Sequence, residues 1–450
     1  MKCVFQRFLA AALLFFTLHS VLAQQGQQDI YASNTLWQQR TALEKDLRER
    51  IIGHNLSLPL DSNSEDRYLS ACEAISQFLL TAPEVEKGFA RLFAGYDSLT
   101  DDTKRAFLEA VYAIGTTRYA GDIQRILEKE QDPKRFAQCA VYLYRCDTTT
   151  LHCNDLKIAM AERFPNYDSL PILQELTNYL SYHSIRRRGK IPAFSQLLAW
   201  QRQTGRKIIY TFQRWNRDYP GLAIVQNADG SLVRGEGGKV KIFRQLARSG
   251  SDLPYFITDG STPQGIYSIQ GLDISRTPFI GPTPNLQLIM PFEDSWEHYF
   301  HQDSLTTLSG PPAVVSSSSS PNTPHPIPDS LQQYLALLPP SWRSYSPMME
   351  AWSAGHIGRT AIIAHGTTID PGYFKDRPFY PLTPTMGCLC AEEEWNPTSG
   401  HLLLSEQYEL ISAFRSTPGN TGYLFVINID DQDQPVTRAE VENLLRQGQP

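Results

Sequence analysis

The periodicity of the apolar residues changes once along this chain, near residue 200, and that change bounds what it can fold into. From about 30 to 200 apolar positions recur at three- and four-residue steps, as in LWQQRTALEKDLRERII (36–52), YLSACEAISQFLL (68–80) and KRAFLEAVYAIG (104–115). Proline marks the breaks at Leu58-Pro59, Ala82-Pro83, Asp132-Pro133 and Phe164-Pro165. This predicts an all-α domain of about seven helices. From 207 the spacing shifts toward two, in KIIYTF (207–212), LAIVQN (222–227), SLVRGE (231–236), LQLIMPF (286–292) and GYLFVINID (422–430). Asn227 to Gly230 reads as a hairpin turn. The expectation is a multidomain α+β chain: helices over 30–200, then a mostly antiparallel β sandwich or small barrel with peripheral helices over 207–450. SIRRRGK (184–190) marks the boundary, and IPAFSQLLAWQRQTG (191–205) reads as a linking helix.

Residues 1–23 read as a cleavable secretory signal. Lys2 and Arg7 form a basic start, Phe8 to Leu18 an apolar run, and Val21-Leu22-Ala23 a small-residue cut site after Ala23. Cys3 precedes the apolar run, so it is not a lipid-anchored cysteine. No other stretch is long and apolar enough to span a bilayer. The expectation is an exported protein of the periplasm or cell envelope. A net charge of −6 gives no reason to expect a nucleic-acid partner. The charge is unevenly spread, with fourteen Lys or Arg against three Asp or Glu over 185–250. That segment reads either as a basic face for an acidic polymer or as an inert solvated surface.

Two stretches carry nucleophile chemistry. In TPTMGCLC (383–390), Cys388 follows a Thr-x-Gly turn, where glycine permits a tight bend that gathers N–H groups beside the sulfur. In IIAHGTT (362–368), the apolar run from Thr360 to Ala364 reads as a buried strand that ends on His365 and Gly366. Thiolate is the reactive form of cysteine and an imidazole is its usual base, so Cys388 and His365 form a candidate pair. Against this stands the ordinary use of cysteine as a small buried hydrophobe. Other readings compete elsewhere. Cys146 and Cys153 bracket a short loop that a disulfide could close, yet Cys139, Cys146 and Cys153 also fit one face of buried thiols. Cys390 reads as a packing residue. His298 and His301 lack a third metal ligand, and no metal site is expected. The stretch GPPAVVSSSSSPNTPHPIP (310–328), within an insertion at about 305–330, reads as a low-complexity loop.

A third stretch, Thr262-Pro263-Gln264-Gly265-Ile266-Tyr267-Ser268-Ile269, completes an ordered set with His365-Gly366 and Thr385-Met386-Gly387-Cys388. Over roughly 220–430 the set resembles the L,D-transpeptidase catalytic domain. That family has His where Met386 stands and often Arg where Cys390 stands. The interval between His365 and Cys388 is also lengthened here by DPGYFKDRPFYPL. The resemblance implies an exported cysteine acyltransferase acting on peptidoglycan stem tetrapeptides, without metal or organic cofactor. Cys388 would be the nucleophile and His365 the base. Gly366 O or Thr367 would orient the imidazole. N–H groups of Met386, Gly387 and Cys388 would hold the oxyanion while Thr385 stabilises the turn, and Tyr267 and Thr367 would line the cleft and contact substrate. Two other readings stay open: an L,D-carboxypeptidase or hydrolase on the same fold, and a catalytically silent wall-binding module. The helical domain would serve as a docking module for the wall or a protein partner, or as a structural appendage.

Overall fold

The computed structural model describes residues 29–115, 117–182, 191–302 and 329–447. The proposed signal peptide, the SIRRRGK boundary and the Ser/Pro-rich stretch at 310–328 lie outside the described residues.

The strands are β1 (Lys207–Arg214), β2 (Gly221–Gln226), β3 (Phe243–Leu246), β4 (Gly265–Asp273), β5 (Asn285–Ile289), β6 (Ala364–His365), β7 (Leu389–Ala391), β8 (Glu393–Trp395), β9 (Leu402–Ser405) and β10 (Gly422–Asp430). Eight of them close a barrel in the order β1-β10-β4-β5-β6-β7-β3-β2, and β8 pairs with β9 in a separate hairpin. The sheet is mixed, because β1 runs parallel to β10 and β6 parallel to β7. A mostly antiparallel barrel was therefore the right class with two parallel joints added.

Alternation along β1 and β10 explains why these strands are apolar on both faces. Ile209, Leu424 and Val426 fill the barrel interior with Tyr267, Ile269, Leu286, Ala364 and Leu389. Ile208, Tyr210, Phe212, Tyr423, Phe425 and Ile427 point outward into a second core. The helices Phe194–Thr204, Asp329–Ala336 and Arg438–Arg446 cover that outer face. The first of these ends on Gly205 in the left-handed region, and the last starts on a reciprocal Thr437–Glu440 capping box. Asn227–Gly230 does close a turn, with Gly230 N–H bonded to Asn227 O at 2.9 Å.

SPMMEAW is helical (Ser346–Met349, then Glu350–Ile357). One local expectation fails. Of the apolar run before His365, only Ala364–His365 joins the sheet; Ala361 has φ +62°, which breaks extended geometry. Thr360 and Ala361 are exposed and only Ile362 and Ala364 are buried, so the run is not the buried strand its composition suggests.

The N-terminal region is helical as expected. It runs through Trp37–Lys45 and its continuation to Ser57, then Glu65–Phe78, Val85–Gly95, Asp101–Ala113, Ala120–Leu127, Pro133–Cys146, Thr150–Arg163 and Pro171–Tyr182. Thr100, Asp132 and Thr149 cap three of these helices by accepting a backbone N–H. This core does not stop at the domain edge. It takes in Leu246 at the end of β3, Leu253, Phe256 and Ile257 from the loop before β4, and Ile369, Phe374, Phe379 and Leu382 from the segment between His365 and Cys388. The extra residues between those two positions are thus the surface on which the helical domain docks. The contact is close: a Cβ on Gly250 would fall 2.3 Å from Ser76 O.

Among the described residues of the segment rich in Lys and Arg, four side chains are paired with carboxylates. Arg214 is buried between Asp430 and Glu440, Arg248 pairs with Asp218, Arg244 with Glu392 and Glu406, and Lys241 with Glu409. Among the described residues no helix is long and apolar enough to cross a membrane. Cys72, Cys139, Cys146, Cys153, Cys388 and Cys390 are all free thiols, so no disulfide closes the Cys146–Cys153 loop.

Candidate active site

Parallel pairing of β6 with β7 brings the two candidate groups to neighbouring strands. Ala364 faces Leu389 and His365 faces Cys390. Cys388 is the residue immediately before β7.

The turn that carries Cys388 is held by its threonine. Thr385 Oγ1 accepts the Gly387 N–H at 3.0 Å and donates to Cys388 O at 2.9 Å. Thr262, from the Thr-Pro-x-Gly stretch, donates to Gly387 O at 2.9 Å, which joins two of the three sequence motifs. Gly387 sits at φ +111°, and a Cβ there would fall 2.3 Å from Arg359 Nη2 and 2.7 Å from Gly260 O. Only glycine fits that conformation and that space. The expectation for the oxyanion donors needs correction: the Gly387 N–H is already used by Thr385. Among the described residues the N–H groups of Met386 and Cys388 have no hydrogen-bond partner, so two of the three donors stay available. The Met386 side chain is 52% exposed, so this position contributes its backbone and little packing.

The Cys388 sulfur, on a half-buried residue, is bonded to backbone. It accepts from Ile363 N at 3.4 Å and donates to Ala361 O at 3.6 Å. Burial pushes the thiol up to about 11, and Glu293 and Asp259 add to the rise; the Ile363 N–H and the Arg359 guanidinium oppose it. Arg359 is buried and donates to Tyr255 O, to Ser261 O at 3.1 Å and to Gly260 O at 2.8 Å. Its charge near the sulfur comes from far outside the Cys motif, and sequence reading missed it.

His365 is buried, and its Nδ1 is hydrogen-bonded to Gly366 O. A carbonyl can only accept, so Nδ1 carries the proton and Nε2 keeps a free lone pair. Burial lowers the imidazole to about 4, against the opposing pull of the Gly366 carbonyl. At neutral pH both partners are therefore uncharged. Among the described residues no hydrogen bond joins the Cys388 sulfur to the His365 ring.

Of the two groups expected to orient His365, Gly366 O does so and Thr367 does not. Thr367 Oγ1 donates to Phe279 O and its N–H donates to Glu393 Oε2 at 2.8 Å. Tyr267 is also corrected. It is fully buried in the barrel and donates to Pro263 O at 2.8 Å, so it presents nothing to a cleft. An aromatic on a strand between two isoleucines is core.

Sequence reading did not single out Glu393 within Glu392-Glu393-Glu394. The signal was in the alternation with Trp395: β8 buries Glu393 and Trp395 and exposes Glu394. Cys390 is fully buried against Thr383 Oγ1 at 3.6 Å, as a packing residue should be. His301 is bonded to Ser268 Oγ at 2.9 Å and Gly422 O at 3.0 Å, while His298 pairs with Asp294. No group of potential metal ligands clusters among the described residues.

No protein-family model, curated protein or solved structure matches this chain.

Proposed function

We propose that the chain is an exported cysteine acyltransferase of the L,D-transpeptidase type, acting on peptidoglycan stem tetrapeptides. One observation carries the reading. The Gly366 carbonyl fixes His365 in the tautomer that leaves Nε2 free to accept a proton, on the strand paired with the one that follows Cys388. Two free N–H groups, of Met386 and Cys388, lie at the same turn.

In the reaction, the Cys388 proton passes to His365 Nε2 as the sulfur attacks the substrate carbonyl carbon. The oxygen takes up the negative charge, held by the Met386 and Cys388 N–H groups; one such donor is worth about 3 kcal/mol. The tetrahedral species collapses, the carbon–nitrogen bond breaks, and His365 gives its proton to the leaving amine. A thioester remains on Cys388. An acceptor amine then yields a crosslink, or water yields a shortened peptide. No step uses a metal or cofactor.

The resting geometry favours one competing reading. The sulfur is bonded to backbone instead of imidazole and its thiol is raised, as in a silent wall-binding module. Catalytic hydrogen bonds are often loose before substrate binds, which is why we place acyl transfer first. Incubation of the mature protein with tetrapeptide muropeptides, beside Cys388→Ala, separates the readings. A crosslinked dimer lost in the variant supports transpeptidation, and tripeptide plus D-alanine the carboxypeptidase. Binding without any Cys388-dependent product supports the silent module.

A further inference from the structure

The Gly366–Thr367 peptide is hydrogen-bonded at both ends, and the two bonds point along one line of reasoning. Its carbonyl accepts from His365 Nδ1, and its N–H donates to Glu393 Oε2 at 2.8 Å. Glu393 is buried, and its other oxygen, Oε1, accepts from Ser405 Oγ at 2.7 Å. The fit is tight enough to dictate sequence: a Cβ on Gly366 would fall 2.1 Å from Glu393 Oε1. Trp395 Nε1 donates to Thr367 O at 2.8 Å, so β8 clamps this strand end with two side chains.

We propose that Glu393 is a positioning residue for His365, acting through the Gly366–Thr367 peptide bond. A carboxylate on the N–H end polarises the amide and makes its carbonyl a stronger acceptor, because hydrogen bonds in series reinforce one another at low dielectric. A stronger acceptor on Nδ1–H raises the basicity of Nε2 and favours the imidazolium. The arrangement does the work of a carboxylate placed directly on a histidine, with one peptide plane interposed. It rests on the reading of His365 as the base.

The charge state of Glu393 then matters. Burial pushes it up to about 7, against the hydrogen bonds from Ser405 and the Thr367 N–H. The groups that face it are Ser405 on β9, Thr283 before β5, Thr367 after β6 and the neutral Cys390 thiol on β7; no cation contributes to its shift. The His365 base should thus strengthen as pH rises through the Glu393 midpoint.

The test is the carbon-bound ring proton signal of His365 by NMR, assigned with His365→Gln, from pH 5 to 9 on the full mature chain. Wild type should show a step in chemical shift near pH 7 that reports Glu393. Glu393→Gln keeps an acceptor of the same shape without the charge, so the step should vanish. Iodoacetamide labelling of Cys388 at pH 7.5 should slow on the order of 10-fold, the smaller end of what loss of an outer partner costs an oriented histidine. Identical His365 titrations and labelling rates in the two proteins would overturn the proposal. If the variant does not fold, Ser405→Ala decides. Removing that donor should move the wild-type step to higher pH, and an unmoved or absent step overturns the proposal equally. Both readouts are independent of substrate. A protein that gives the step but no muropeptide product upholds the relay and sinks the assigned reaction; the reverse result does the opposite.

Discussion

The two halves of the candidate site are held by different parts of the molecule. His365 is fixed from within the barrel domain. Its tautomer comes from its own neighbour Gly366, and that peptide is clamped by Glu393 and Trp395 of the β8–β9 hairpin. The Cys388 turn instead leans on loops rooted in the helical domain. Thr385 N–H donates to Arg248 O at 3.2 Å and Thr385 O accepts from Gly250 N–H at 2.8 Å. Gly250 lies against the helix Glu65–Phe78, and the loop continues into Leu253, Phe256 and Ile257 of the helical core. Arg105 of the helical domain also pairs with Asp259 at 2.8 Å. His365, the proposed base, is thus set by local geometry, and the turn of Cys388, the proposed nucleophile, by an interdomain contact. The helical domain braces the Cys388 turn through these loops.

Removing the sulfur should have the largest effect on this comparison. Cys388→Ala should abolish product, a loss on the order of 10⁴-fold or more for a covalent nucleophile, with unfolding midpoints near wild type. Phe379→Ala comes next. It cuts a fully buried ring from the core shared by the helices and the 369–382 segment, and should cost about 3–5 kcal/mol in urea melts. It should also change the iodoacetamide rate at Cys388 while leaving the His365 NMR titration in place. Trp395→Ala should do the reverse, shifting the His365 signal more than the labelling rate. If both variants disturb both probes equally, the two supports are not separate. Thr385→Ala should be milder, about 1–2 kcal/mol, because it removes two hydrogen bonds from one turn.

The smallest effect is in the pH dependence of stability, where the two buried groups act in opposite directions. His365 is lowered to about 4 from a free value near 6.5, so between these values the unfolded chain binds the extra proton. Its contribution to stability is present above pH 6.5 and falls as pH drops toward 4. Glu393 is raised from 4.5 to about 7, so the folded chain binds the extra proton in that window and stability falls as pH rises through it. In wild type the slopes offset from about pH 4.5 to 6.5. His365→Gln should expose the fall with rising pH and Glu393→Gln the rise, read from urea midpoints across pH 4–8. Parallel curves in all three proteins would show that neither group titrates as its burial implies.

Much of this was legible in the sequence because it was local. The change of period near 200 separated helices from barrel, and the three motifs at Thr262-Pro263, His365-Gly366 and Cys388 do meet in space. Gly366 O was one of two orienting groups in view, and the structure selects it. What escaped depended on contacts across the fold. Arg359 reaches the site from the residue just before the Thr360–Ala364 run, and Glu393 from a run of three acids. The Gly387 N–H was counted as a donor because its capture by Thr385 is a property of turn geometry, not of composition. Tyr267 was assigned to a cleft although its strand lies inside a closed barrel. The segment between His365 and Cys388 looked like a departure from family spacing; its apolar residues are the seat of the helical domain.

The central claim is that Cys388 carries the acyl group. Intact-mass measurement of the mature protein during incubation with a tetrapeptide muropeptide tests it most directly. The account predicts an adduct equal to the muropeptide less its terminal D-alanine, labile to hydroxylamine as a thioester and absent in Cys388→Ala. No adduct in wild type, with no product dependent on Cys388, would contradict it.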